Sequence, residues 1–76
     1  MKNIKVLGTG CANCKNTVKL IQEVAQTKRE EIQLEKVEKI QDIASYRIMA
    51  TPGVVIDGQV VHAGGVPPRE KVESWF

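Results

Sequence analysis

Two cysteines, Cys11 and Cys14, are the only ones in a chain of 76 residues, and two residues separate them. They stand where an apolar, strand-like run, Ile4-Lys5-Val6-Leu7, passes through Gly8-Thr9-Gly10 into a helical pattern that begins at Ala12. A C-x-x-C at such a strand-to-helix turn puts one sulfur among the unpaired N-H groups of a helix N-terminus and the other one turn further along, within disulfide reach. The helix dipole places roughly half a positive charge at that end and favours the thiolate, the form that attacks disulfides and binds metals. The dipole and free N-H groups are therefore expected to lower the Cys11 pKa. The chemistry is redox exchange or metal capture, and Ala12 and Asn13, between the sulfurs, would tune it.

The elements around the pair follow from periodicity. Residues 3 to 7 read as a first strand. From about residue 12 to 26, Val18, Ile21, Val24 and Ala25 recur at spacings of three and four, one face of an amphipathic helix, and Cys14 falls on the same stripe. Cys11 precedes the helix at its exposed tip. Ile32-Gln33-Leu34-Glu35-Lys36-Val37 alternates like a strand with one covered face. Residues 38 to 49 return to helical spacing with Ile40, Ile43, Ala44 and Ile48, and Thr51-Pro52 ends that helix because a residue before proline avoids the helical region.

Val54-Val55-Ile56, Asp57-Gly58 and Gln59-Val60-Val61 form a hairpin signal, since Asp-Gly suits the type I′ turn. Pro67-Pro68 opens a last helix whose buried face would be Val72, Trp75 and Phe76. The order is βαβαββα, with no internal repeat and no low-complexity segment.

Bulk properties narrow the function. Seventy-six residues make one domain, 1-76, and a 42% hydrophobic, 26% charged composition is that of a globular protein. A net charge of +2, with bases interleaved with acids as in Lys28-Arg29-Glu30-Glu31, does not point to nucleic acid. No segment approaches the roughly 20 apolar residues of a membrane span, and the N-terminus shows no secretory h-region. A cytoplasmic setting is expected, where a C-x-x-C is reactive or metal-binding more often than structural.

Gly8-Thr9-Gly10-Cys11-Ala12-Asn13-Cys14, Thr51-Pro52-Gly53-Val54-Val55-Ile56-Asp57-Gly58 and Gly64-Gly65-Val66, in this order of elements, resemble the thioredoxin-like superfamily, and within it the small glutaredoxin-sized redox-active disulfide proteins. The resemblance spans nearly the whole chain. It implies an α/β fold with a four-stranded mixed sheet of order 2-1-3-4, the third strand antiparallel to the first, and helices on both faces.

It further implies that Cys11 is the nucleophile and Cys14 the resolving thiol. Pro52 would be cis and, with Thr51 and Gly65, would face the pair and bind the substrate backbone. The implied activity is thiol-disulfide exchange with protein disulfides by a monomer. No organic cofactor is needed, and an external reductase or thiol donor, a flavoprotein or glutathione, regenerates the dithiol. The chain departs from thioredoxin in having Ala12-Asn13 in place of Gly-Pro and Gly10 in place of an aromatic. The acid that thioredoxins bury on the preceding strand is missing too; counting back from Cys11 puts Lys5 at its position.

The alternative is a soft-metal module, copper or zinc, on the same two thiolates. The copper-chaperone domain with a similar motif orders its elements βαββαβ and has Met two residues before the first cysteine, where this chain has Thr9. A closed zinc site needs four ligands, and only His62 could add to the cysteines; it reads as a surface or edge histidine. No metal is expected. Tyr46 and Met49 carry no assigned chemistry.

Overall fold

The computed structural model describes residues 2–10, 12–48 and 50–76. Seven elements follow one another: β1 (Lys2–Leu7), α1 (Ala12–Thr27), β2 (Ile32–Val37), α2 (Ile40–Ser45), β3 (Gly53–Ile56), β4 (Gln59–Ala63) and α3 (Arg69–Glu73). The strands form one mixed sheet in the order β2-β1-β3-β4, with β1 parallel to β2 and antiparallel to β3. This is the α/β thioredoxin-like architecture, with the 2-1-3-4 sheet and helices on both faces.

Alternation along β1 divides the core. Ile4 and Val6 point to one face, where they meet Val18, Ile21 and Val24 of α1, Val54 of β3 and Val72 of α3. Leu7 points to the other face and packs with Val55 and Ile43 of α2. Each fully buried aliphatic side chain contributes roughly 1.5–3 kcal/mol relative to an exposed one. Among the described residues, seven buried side chains cluster on the α1/α3 face against three on the α2 face, so the first face carries most of their hydrophobic stabilisation. The base of α1, which bears Cys14, is thereby fixed to the sheet.

The second and third helices are shorter than the periodicity implies. α2 covers only 40–45; Ile43 is buried, whereas Ile40 is 74% exposed and Ala44 is exposed as well. It stops because Arg47 adopts a left-handed backbone (φ 59°), while the Tyr46 and Arg47 N-H groups close on Ile43 and Ala44 carbonyls. Ile48 packs against the second cluster from beyond the helix. Likewise α3 ends at Glu73, and Trp75 and Phe76 pack half-buried on the first cluster from the segment after it.

The hairpin forms where Asp57-Gly58 was expected to turn, with positive φ at both residues (49° and 87°), as a type I′ turn requires. One irregularity is absent from the sequence pattern. Val55 pairs with Val60, but Val54 pairs with His62, so Val61 is the extra residue of a β-bulge.

Candidate active site around Cys14

Cys14 stands in the first turn of α1, four residues before Val18 on the buried stripe, and is 5% exposed. Its neighbour across the turn is Gly8, the residue that follows β1 and donates its N-H to Val37 O at 2.9 Å. A Cβ built on Gly8 would overlap Cys14 Sγ and lie 4.0 Å from Pro52 Cα. The glycine is thus required by a close approach: the sulfur of α1 and the backbone of the 51–52 turn both pack over the end of the central strand.

The Thr51–Pro52 peptide bond is cis. Pro52 is fully buried and Thr51 is exposed. The Pro52 carbonyl accepts a hydrogen bond from Gly64 N at 2.9 Å, which ties the turn to the segment after β4. Gly64 and Gly65 both have positive φ (88° and 68°), a backbone that side-chain-bearing residues adopt only with strain. Gly65 is exposed, and its carbonyl lies 3.0 Å from His62 Nε2.

Of the residues picked out by sequence, Cys14, Pro52 and the Gly64-Gly65 segment are brought to one end of the sheet. Ala12 and Asn13 are exposed on the first turn of α1, where the Asn13 carbonyl accepts the hydroxyl of the buried Thr17 at 2.8 Å. Cys11 and Met49 lie outside the described residues.

Beside Cys14, on the side toward β2, a cleft of about 120 Å³ opens. Cys14, Val6 and Val18 are apolar parts of its lining, and Gly10, Lys15, Lys36 and Glu38 complete it. The side chain of β1 that looks into this cleft is Val6. Lys5, which counting assigned to the acid's position, belongs to the opposite face of the strand, where its Nζ lies 3.4 Å from the Tyr46 hydroxyl. The carboxylate on the cleft comes instead from the end of β2: Glu38 Oε2 lies 3.8 Å from where a Gly10 Cβ would sit. Sequence reasoning passed over Gly8, Lys36 and Glu38, although a glycine three residues before the motif was a visible signal of a close approach.

Both ring nitrogens of His62 are engaged, one with Gly65 O and the other with Lys71 Nζ at 2.8 Å. It is a structural histidine of β4, directed at the Gly65 segment.

The sequence model described as Thioredoxin domain matches residues 2–76. The chain is 30% identical over 74 residues to a thioredoxin of Methanothermobacter thermautotrophicus, covering 97% of this chain and 96% of the relative. It is 29% identical over 71 residues to a thioredoxin of Methanocaldococcus jannaschii, covering 93% and 81% of the two. The crystal structure of chloroplastic thioredoxin z superposes with a TM-score of 0.71 at 18% identity, over 99% of this chain and 74% of that one, and shows the shared fold.

Proposed function

We propose two-cysteine exchange with protein disulfides as the reaction of this chain, which belongs to the thioredoxin family and is a thiol-disulfide oxidoreductase. The Cys11 thiolate attacks one sulfur of a partner disulfide, and the partner's other sulfur leaves as a thiolate. Cys14 then loses its proton, and its thiolate attacks Cys11 Sγ in the mixed disulfide. The bond from Cys11 to the partner breaks, and the partner departs with its second thiolate. The partner has gained two electrons, and the domain holds a Cys11-Cys14 disulfide. An external reductase or thiol donor, a flavoprotein or glutathione, returns the two electrons.

The observation that carries this reading is the packing of the Cys14 sulfur over Gly8 beside the Pro52 turn. A resolving thiol needs that shielding, because it must stay away from solvent oxidants and still reach its neighbour in the motif. In sequence, Cys11 directly precedes α1, whose positive N-terminal end favours a thiolate. In this reading the exposed Thr51 and Gly65 flank the groove in which an extended partner segment pairs, a mode that supplies affinity with little sequence selectivity. The reading includes a single domain acting as a monomer in the reducing cytoplasm, where such a pair remains reactive.

The test is catalysed reduction of insulin by dithiothreitol, with metal analysis of protein purified without chelator. Acceleration by the wild type, lost in Cys11→Ser and in Cys14→Ser, is the expected result. A wild type that gives no acceleration and carries stoichiometric copper or zinc would replace exchange with soft-metal binding on the same thiolates.

A further inference from the structure

A carbonyl oxygen only accepts, so the 3.0 Å contact between His62 and Gly65 O requires that Nε2 carry the proton and donate it. Nδ1 of the same neutral ring is then an acceptor, and it faces Lys71 Nζ of α3 at 2.8 Å. The ammonium donates, which fixes the ring in one tautomer. The β4 bulge is what brings the ring here: with Val61 extruded, His62 lies opposite Val54, next to the Gly53 that follows Pro52.

The 64–65 segment is consequently held from two directions. Gly64 N donates to Pro52 O, and Gly65 O accepts from His62. Two consecutive glycines at positive φ have no side chains of their own to order them, so these bonds set where the segment stands.

We infer that His62 is a positioning residue that holds the Gly65 side of the partner groove, with Lys71 selecting the tautomer that does so. The inference deepens the exchange reading and rests on its assignment of that groove.

Steady-state reduction of insulin, a protein disulfide that must enter the groove, is compared with reduction of bis(2-hydroxyethyl) disulfide, a neutral molecule too small to span it. His62→Phe keeps a ring without nitrogens and is expected to raise KM for insulin about two- to tenfold, the value of one net hydrogen bond. Its kcat and its rate with the small disulfide should match the wild type. His62→Gln, which retains a donor and an acceptor, should restore KM. Nitrogen NMR of the wild-type imidazole should show the Nε2-H tautomer at neutral pH.

An unchanged insulin KM in His62→Phe, an equal loss on both disulfides, or the Nδ1-H tautomer would each overturn the inference. A wild type inactive on both disulfides would be a different failure, of the exchange reading itself and of the groove role with it, whatever the NMR showed.

Discussion

Cys14 Sγ fills the space that a Cβ on Gly8 would occupy, so the buried sulfur of the motif and the residue just after the central strand are fitted to each other without a spare methyl between them. Pro52 Cα closes the same spot at 4.0 Å from that absent Cβ. The position of the Cys14 sulfur is therefore set by backbone packing from the end of β1 and from the 51–52 turn.

Gly8→Ala tests that fit. The new methyl overlaps Sγ, and either the helix start or the 51–52 turn must shift; overpacking of this kind costs about 1–3 kcal/mol. Urea unfolding should show that loss, and insulin reduction should fall by at least the corresponding fraction because the sulfur is displaced. Normal stability with normal turnover would mean that the sulfur is not held there.

The proposed exchange has a second step in which Cys14 gives up a proton, and Glu38, in the lining of the same cleft, is tested as the group that takes it. Among the described residues, the lining of the cleft beside the sulfur has this one carboxylate, together with Lys15 and Lys36. A well-positioned acid-base group contributes about 10²–10⁴-fold, whereas an exposed one acting through water in an open cleft should contribute about tenfold or less. In single-turnover experiments, Glu38→Gln is expected to slow the decay of the mixed disulfide by up to about tenfold and to leave its formation unchanged. Equal slowing of both steps, or of neither, would remove Glu38 from the reaction.

Ile21 and Ile40 make a matched pair of apolar residues with opposite burial, 0% and 74% exposed. Ile21→Ala should cost about 2–5 kcal/mol, a large share of the stability of a small domain, since it opens a cavity between α1 and the sheet. Ile40→Ala should stay within about 0.5 kcal/mol. Comparable losses in chemical denaturation would place Ile40 in the core, against its exposure in the structure.

Strand alternation, the Asp57-Gly58 turn and the α1 stripe made the order of elements and the burial of Cys14 legible in the sequence, because each is a local pattern with a single spatial consequence, whereas the 2-1-3-4 sheet order was legible only through the family resemblance. Helix α2 was misread as longer: Ile40, Ala44 and Ile48 keep helical spacing, but the left-handed Arg47 and the short span available between β2 and the 51–52 turn decide its length. Counting back along β1 selected Lys5 for a position beside the sulfurs, whereas the pleat gives that side to Val6. His62 escaped because its role depends on the Val61 bulge, which moves every later residue of β4 by one place and leaves no mark in an alternation only five residues long. Glu38 and Lys36 reach the site only through the β1–β2 register, a non-local fact.

The most direct measurement is mass spectrometry of Cys14→Ser after reaction with a protein disulfide. Without a resolving thiol, the first bond formed should persist, and the variant should accumulate as a mixed disulfide whose peptide map places the partner on Cys11. Cys11→Ser should give no such adduct under the same conditions. An adduct carried by Cys14 in Cys11→Ser, with none on Cys11 in Cys14→Ser, would contradict the assignment of attacking and resolving sulfurs.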